Sequence, residues 1–295
     1  MKILVVGATG AMGSLVAREL VARGATVRVL VRDELRAAWL PRVVQRSVGD
    51  LADATTVTRA LDGVQAAFYT SPHEPNEVEL AENFVRACEA SGTRLVMAGT
   101  HLPDPKARAL LAGAVPSYHD KLRIGELIAA SATEPALFGL TNFFQNDEIY
   151  RQDILDGVFP TPLNAQGVNR IDLRDMAEIV GRALLDRSFG RGEHLLMGAE
   201  ALGGAQCAAI WAAALERPVR YLGDDDAAWP AAVQRRLQGR KREDFLATYQ
   251  LLAKMAVSTV PAALDDTIRL LGRQPRSYQS YVLHLAAQWR GVARA

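Results

Sequence analysis

The chain has 295 residues, of which 49% are hydrophobic, and a formal net charge of +1. This length suits one large domain or two small ones with a substantial core. The balanced charge gives no general attraction to nucleic acid or to an anionic membrane, so neither is expected as a partner. No apolar run approaches the roughly 20 residues that span a bilayer, and no secretory leader precedes the first predicted strand. We therefore expect a soluble, cytoplasmic protein.

The two cysteines, Cys88 and Cys207, lie far apart in segments predicted as helices. Their spacing suits neither a metal site nor a redox pair, which predicts two small core residues. The five histidines form no local pattern of metal ligands, so no metal site is predicted.

The amino-terminal stretch predicts a phosphate cradle. Residues 3–6 form an unbroken apolar run, typical of a strand buried on both faces of a parallel sheet. A glycine-rich turn and an apolar helical face follow. Such a turn lets the backbone approach a pyrophosphate, and the helix start supplies free N–H groups. A purely structural turn is the alternative. The residues predicted to hold the pyrophosphate are Gly7, Thr9, Gly10, Ala11, Met12 and Gly13.

The glycine spacing, Gly-x-x-Gly-x-x-Gly, differs from the Gly-x-Gly-x-x-Gly of most dehydrogenases. The segment Gly-Ala-Thr-Gly-Ala-Met-Gly resembles the turn of atypical and extended short-chain dehydrogenases/reductases, and most closely the NmrA-like family. This resemblance implies a doubly wound parallel α/β sheet of the Rossmann type and an NAD(P) cofactor. The family includes reductases and also dinucleotide-binding regulators, and either function is implied.

Residues 26–33 predict the second strand, whose end selects the cofactor. Arg32 stands there, and a guanidinium pairs with a phosphate through charge-assisted hydrogen bonds. We therefore predict NADP(H) as the preferred cofactor. NAD(H) is the alternative, because Asp33 follows at once and Arg32 can also be a solvated charge.

The ends of the third and fourth strands, predicted at 43–48 and 65–70, border the same edge of the sheet. Resemblance to the NmrA-like family implies that Asp50 and Leu51 contact the adenine. A cap for the helix that starts near Asp53 is an equal alternative for Asp50. Ligands bind beyond the carboxyl ends of parallel strands, which predicts cofactor contacts for Tyr69, Thr70 and Ser71.

The fifth strand, predicted at 95–98, ends where short-chain reductases place the Ser of a Ser–Tyr–Lys arrangement. Thr100 stands there instead, and its hydroxyl can orient a carbonyl. His101 is a candidate proton donor because imidazole titrates near neutrality, with a surface or supporting role as the alternative. Residues 102–116 contain three prolines and predict a loop that can act as a lid.

The helix predicted over 117–131 begins with Ser117-Tyr118-His-Asp-Lys121. The reductase motif Tyr-x-x-x-Lys is therefore broken, although residues three apart still share a helix face. The NmrA-like pattern retains the Lys and has a Glu one turn later, which Lys121 and Glu126 match. The resemblance implies that Lys121 lies at the ribose and nicotinamide. The predicted proton donor is Tyr118, His119 or His101, in that order.

The sixth strand, predicted at 135–140, runs into a segment that resembles the family's substrate cleft. The predicted cleft residues are Asn142, Phe143, Phe144 and Asn146. For the aromatic pair Phe143 and Phe144, packing in the core is the alternative and the more frequent role. Beyond them the pattern predicts short strands at 169–173, 194–197 and 219–222. It predicts helices at 147–156, 174–185, 205–215, 227–238, 241–256, 261–271 and 277–290.

These patterns predict an NAD(P)-binding Rossmann domain over residues 1–152 and a smaller, mostly helical substrate-cleft domain over 153–295. A strand and helix near 169–187 are expected to return to the first domain. We predict an NADP(H)-dependent oxidoreductase for a small organic carbonyl, quinone or conjugated alkene, acting as a monomer or homodimer. A non-catalytic redox sensor is the first alternative, and a lyase or isomerase is the second.

Overall fold

The computed structural model describes residues 1–115, 117–225 and 228–292, without the side chains of residues 110, 228, 291 and 292. These residues form two compact units. Unit 1 comprises Met1–Gly113, Ser117–Leu140 and Leu173–Leu196. Unit 2 comprises the described residues within Ala114–Pro116, Thr141–Asp172 and Met197–Ala295. Each unit is therefore assembled from separate pieces of the chain.

Eleven strands are found among the described residues. They are β1 (Lys2–Val6), β2 (Thr26–Val31), β3 (Gln45–Val48), β4 (Ala66–Tyr69), β5 (Arg94–Gly99), β6 (Ala136–Leu140), β7 (Val158–Phe159), β8 (Val168–Asn169), β9 (Gly192–Leu196), β10 (Ala201–Leu202) and β11 (Arg220–Tyr221). Seven of them form the sheet of unit 1, in the order β3-β2-β1-β4-β5-β6-β9. Every pairing in that sheet is parallel. The order of the first six strands is that of the Rossmann fold, which confirms the predicted α/β class.

Twelve α-helices are found in the same described ranges. They are α1 (Ala11–Ala22), α2 (Ala54–Leu61), α3 (Glu77–Ser91), α4 (Pro105–Ala112), α5 (Tyr118–Ala129), α6 (Arg151–Leu155), α7 (Leu173–Leu185), α8 (Gly204–Leu215), α9 (Ala228–Gln234), α10 (Gly239–Lys254), α11 (Pro261–Leu271) and α12 (Tyr278–Val292). In unit 1, α1 packs against α7, while α2, α3 and α5 pack side by side. These two groups of helices form the layers that cover the sheet.

The first strand shows why the sheet needs both layers. Leu4 and Val6 belong to the cluster that includes α2, α3 and α5 side chains. Ile3 and Val5, whose side chains point the other way along the strand, are also fully buried. The predicted strand with two buried faces is thus confirmed.

β9 and Arg94 join the last piece of unit 1, Leu173–Leu196, to the two earlier pieces. β9 pairs with β6 along its length, from Ala136↔Gly192 to Leu140↔Leu196. Arg94, fully buried at the start of β5, donates from Nη1 to the carbonyl oxygens of Ala183 (2.6 Å) and Asp186 (2.7 Å). Its Nη2 donates to the carbonyl of Phe189 at 3.0 Å. Arg94 therefore satisfies the carbonyls at and beyond the carboxyl end of α7.

The prediction of a loop over residues 102–116 is wrong for most of its length, because α4 lies within it; Pro116 lies outside the described residues. Asp104 caps this helix and accepts from the N–H of Lys106 at 2.9 Å. Pro105 occupies the first helical position, where its missing N–H costs no hydrogen bond. The prolines that indicated a loop instead begin a helix.

Other predicted boundaries also shift. The helix predicted at 147–156 is a 3₁₀-helix over Phe144–Tyr150 followed by the short α6. The strand predicted at 169–173 is shortened to β8, since α7 already begins at Leu173. The last four helices are confirmed as α9 to α12, although position 227 of the first lies outside the described residues. Cys88 and Cys207 are free, buried and helical, as predicted.

Unit 2 has a buried charged pair at its centre. Arg170 Nη1 lies 2.9 Å from Asp147 Oδ1, and both side chains are almost wholly buried. Thr161 Oγ1 donates to the same carboxylate oxygen at 3.3 Å, and Tyr278 OH donates to Oδ2 at 2.5 Å. Burial, and then the charge of Asp147, raise the pKa of Tyr278, so its hydroxyl remains a donor. Three donors therefore hold one buried carboxylate.

Membrane insertion finds no support in the described ranges. Within them, no helix has the length and the apolar character needed to cross a bilayer.

Candidate functional site

The turn between β1 and α1 would accept a Cβ at one of its glycines and not at the two others. Gly7 has φ +73°, and a Cβ there would lie 2.6 Å from Thr70 Cγ2. A Cβ on Gly13 would lie 2.3 Å from the carbonyl oxygen of Gly7. A Cβ on Gly10 would meet the same oxygen at an ordinary 3.4 Å. The fold therefore requires Gly7 and Gly13, while Gly10 is exposed and would accept a Cβ at an ordinary contact distance.

The start of α1 is suited to an anion. Gly10 occupies the position before the helix, and no described side chain caps it. The first turn of α1 also carries no acidic residue. Its N–H groups and the positive end of the helix dipole therefore remain available to a phosphate.

Arg32, immediately after β2, is paired with an acid that the sequence analysis did not single out. Its Nη1 lies 3.0 Å from Glu74 Oε1, and the two side chains are 60% and 34% exposed. Asp33 is engaged elsewhere, since its Oδ1 accepts from the N–H of Leu35 at 2.9 Å. Glu74, and not the adjacent Asp33, is therefore the ion-pair partner of Arg32.

The structure decides one of the two alternatives for Asp50. The cap of α2 is Asp53, whose side chain accepts from the N–H of Thr55 at 2.9 Å. Asp50 instead accepts from the N–H of Ala52 at 2.9 Å and is exposed, next to the half-buried Leu51. The cap interpretation of Asp50 is wrong, and the adenine contact stays a prediction.

The end of β4 and the first turns of α3 and α5 meet at a buried charged pair. Lys121 Nζ donates to Glu77 Oε2 at 2.8 Å, with residue exposures of 7% and 0%. Ser71 Oγ donates to the same oxygen of Glu77. Tyr69, fully buried, stacks on Phe84 with 5.5 Å between ring centroids. Burial, and then the charge of Glu77, raise the pKa of Tyr69 and keep its hydroxyl protonated. The structure thus brings together three of the predicted residues: Tyr69, Ser71 and Lys121.

Sequence analysis missed Glu77 as a site residue. In the sequence Glu77 begins a segment, 77–90, whose apolar residues recur at the spacing of a helix. An acid is common at the start of a helix because it complements the helix dipole. Its partner Lys121 lies 44 positions away, and no local spacing connects the two. The available signal was its place after Ser71 and Pro72, beyond the end of a strand predicted to border the cofactor.

The candidate proton donors lie in different surroundings. Tyr118, half-buried, and Lys121 stand three positions apart on α5, while His119 between them is exposed. Thr100 is half-buried just beyond β5. His101 is 1% exposed, and Gly125 makes room for its ring, since a Cβ there would lie 2.4 Å from Nδ1. Tyr118 therefore has access that His101 does not.

His101 is itself buried and contacts an exposed acid, Glu193. Its Nε2 lies 2.7 Å from Glu193 Oε2, which also accepts from Arg108 Nη1 at 3.3 Å. Burial lowers the pKa of His101 below its usual value of 6.5, although Glu193 acts in the opposite direction. The ring is therefore neutral near pH 7, with Nε2–H as the donor to Glu193.

We expect His101 to make the protein sensitive to acid. The pKa of His101 is lower in the folded protein than in the unfolded chain, so the unfolded chain binds the proton at a higher pH. The stability that the neutral ring contributes is therefore complete above about pH 6.5, and it is lost as the pH falls through the folded pKa. The free energy of unfolding should therefore fall more steeply between about pH 7 and pH 5 in the wild type than in His101→Gln. Urea unfolding at several pH values measures this, and parallel curves would contradict it.

The four predicted cleft residues lie in unit 2, with unequal access. Phe144 is buried and packs edge-on against Tyr278, with 5.0 Å between ring centroids. Asn142 is buried, and its Oδ1 accepts from Tyr249 OH at 3.3 Å and from Asn146 Nδ2 at 3.5 Å. Phe143 and Asn146 are half-buried. Phe144 thus serves the core of unit 2, while Phe143 and Asn146 retain exposed surface.

The sheet is parallel and has this strand order, and a glycine turn leads from its first strand into an uncapped helix. These features define the Rossmann class of α/β proteins. Residues 1–281 match the model of the NmrA-like family. The chain belongs to the NmrA-like family, as its glycine turn indicated.

Relatives of this chain include enzymes and a regulator. It is 30% identical over 297 residues to the NAD(P)H azoreductase of Xenophilus azovorans, covering 97% of this chain and 98% of that one. The Citrobacter triphenylmethane reductase complexed with NADP(H) is 19% identical, with a TM-score of 0.79 and coverage of 97% and 100%. NmrA, a negative transcriptional regulator solved in complex with NADP, is 17% identical, with a TM-score of 0.74 and coverage of 99% and 97%. The two structural likenesses concern the fold.

Proposed function

We propose that this protein is an NADP(H)-dependent oxidoreductase that moves hydride to or from a small organic carbonyl, quinone or conjugated alkene. The observation that carries the proposal is the buried Glu77–Lys121 pair at the end of β4. The residue that follows β4, Thr70, lies against Gly7 of the glycine turn, so the pair is close to the predicted phosphate site. The whole-length relationship to an NAD(P)H azoreductase supports the same class of reaction and adds azo compounds to the acceptors worth testing.

The residues of unit 1 fit a dinucleotide. The uncapped start of α1 and the exposed Gly10 suit a pyrophosphate, and Arg32 suits a 2′-phosphate. We assign the pyrophosphate to the turn, with backbone N–H groups as donors. The residues of that turn are Gly7, Thr9, Gly10, Ala11, Met12 and Gly13. We assign the adenine side to Asp50 and Leu51, and the border beyond β4 to Tyr69, Thr70 and Ser71.

The chemistry divides between cofactor and protein. When bound, NADP(H) supplies or accepts the hydride. Lys121, held in place by Glu77, would orient the ribose and the nicotinamide. Tyr118 is the preferred proton donor, since it lies on the helix of Lys121 with partial exposure, while His119 is exposed and His101 is buried and neutral. Thr100 would orient the substrate carbonyl.

Several broader features belong to this proposal. Residues 1–152 would bind the dinucleotide, and residues 153–295 would form the smaller substrate-cleft domain, with residues near 169–187 returning to the first domain. Asn142, Phe143 and Asn146, which precede residue 153, would also line the cleft. The substrate is a small molecule, the protein acts as a monomer or homodimer, and it works in the cytoplasm.

A titration of the purified protein with NADPH and with NADH, followed by nicotinamide fluorescence, tests the proposal first. Quinones, enones and azo dyes are then added, and the loss of NADPH absorbance is recorded. We expect tighter binding of NADPH and turnover on at least one acceptor class. Failure to bind either cofactor would refute the assignment of the glycine turn.

A redox sensor is the second candidate. Thr100 stands where short-chain reductases have Ser, and Tyr118 is shifted by one position from the reductase motif. A sensor would bind NADPH tightly and turn over none of the acceptors, so the same experiment separates the two functions.

Two alanine variants in the glycine turn should fail in different ways. Gly13→Ala places a Cβ 2.3 Å from a backbone oxygen, so we expect it to lower the free energy of unfolding by about 2–3 kcal/mol. Gly10→Ala has room for its methyl group and should change that energy by less than about 1 kcal/mol. It should nevertheless weaken NADPH binding about tenfold or more, because the backbone must approach the pyrophosphate. Urea unfolding and fluorescence titration measure the two effects; unimpaired binding by Gly10→Ala would contradict the assignment.

A further inference from the structure

The contact between Arg32 and Glu74 places an acid beside the group that would receive the 2′-phosphate. Arg32 Nη1 lies 3.0 Å from Glu74 Oε1, and both side chains retain exposure to solvent. Asp33, the acid adjacent in sequence, bonds to the N–H of Leu35 instead. The negative charge that meets the guanidinium therefore comes from the segment after β4, and no motif of the second strand reveals it.

We propose that Glu74 determines cofactor specificity by lowering the preference of the Arg32 site for NADPH over NADH. This inference rests on the proposed function. A 2′-phosphate must compete with Glu74 for the guanidinium, and its charge is repelled by the carboxylate. NADH has an uncharged hydroxyl in place of the 2′-phosphate. It therefore neither competes with Glu74 for the guanidinium nor is repelled by the carboxylate. Glu74 thus reduces the difference in affinity between NADPH and NADH and allows the protein to use both cofactors.

The test is the ratio of the dissociation constants of NADH and NADPH in the wild type and in Glu74→Gln. Gln keeps the length of the side chain and removes its charge. We expect the NADPH dissociation constant to fall about three- to tenfold at low ionic strength, with little change for NADH. The gain should shrink as salt is added, because both side chains are exposed and their charges are screened.

Two further variants make the test specific. Glu79→Gln removes one negative charge from an exposed position in the first turn of α3 and serves as the matched control, which should leave the ratio unchanged. The gain from Glu74→Gln should shrink in an Arg32→Gln background, where no guanidinium remains to be released. An unchanged ratio in Glu74→Gln, or an equal gain in Glu79→Gln, would overturn the inference. An undiminished gain without Arg32 would also overturn it.

The failures are distinguishable. If the wild type binds neither cofactor, the proposed function is wrong and the inference falls with it. If the wild type binds both and Glu74→Gln leaves their ratio intact, only the inference is wrong.

Discussion

Replacing Lys121 by Met is expected to lower turnover about 100-fold or more and to destabilise the fold by about 3–5 kcal/mol. The two losses have different causes. If Lys121 has its proposed role, turnover falls because the cofactor loses the ammonium that orients it. Stability falls because the Glu77 carboxylate, fully buried, loses the cation 2.8 Å away. Steady-state kinetics on an accepted substrate and urea unfolding measure the two separately.

A double variant separates the structural part of this effect from the catalytic part. Lys121→Met combined with Glu77→Gln removes both charges and keeps an acceptor for the Ser71 hydroxyl. We expect most of the lost stability to return, since a neutral pair leaves no uncompensated charge. Turnover should stay low. Recovery of turnover together with stability would show that Lys121 serves only the fold.

Replacing Asp147 by Asn is expected to destabilise unit 2 by about 3–5 kcal/mol. The carboxylate accepts from Arg170, Thr161 and Tyr278, and the Arg170 guanidinium has almost no exposure to solvent. Without its anion, Arg170 becomes a buried and uncompensated cation. Thermal unfolding followed by tryptophan fluorescence reports on this change, because Trp211 donates from Nε1 to Tyr278 OH at 2.8 Å.

The matched control is an ion pair on the surface with the same N···O distance. Arg191 Nη2 lies 2.9 Å from Glu134 Oε2, the distance found for Arg170 and Asp147, but its side chains are 55% and 53% exposed. Arg191→Gln should cost about 1 kcal/mol or less, since solvent screens the lost attraction. Equal losses in the two variants would show that burial does not set the cost of breaking the Asp147 pair.

Local patterns predicted the part of the fold that depends on neighbouring residues. The apolar run at Ile3–Val6 and the spacing of Gly7, Gly10 and Gly13 follow from requirements met within a few positions. The starts and ends of the second strand and of α5 were predicted to within two residues for the same reason. Such signals suffice for the α/β class.

The misses have physical reasons. Pro103 and Pro105 indicated a loop, but a proline in the first turn of a capped helix is favourable, and the cap at Asp104 was readable in the sequence. Glu77 and Glu74 acquire their roles from partners 44 and 42 positions away, which only the sheet brings near. Phe144 follows a strand that ends at the predicted cofactor edge, so the sequence allowed both a cleft role and a packing role for it. Its burial depends on Tyr278, on the last described helix.

The return of the chain to unit 1 at Leu173–Leu196 has a consequence for synthesis on the ribosome. A nascent chain that has emerged as far as residue 152 contains the glycine turn, Lys121 and six strands of the sheet. It lacks β9, so β6 is an open edge able to pair with another chain. It also lacks the carbonyls of Ala183, Asp186 and Phe189, so the Arg94 guanidinium has none of these acceptors. At roughly 5–20 residues per second, this incomplete state lasts several seconds, during which a chaperone has an edge strand to protect.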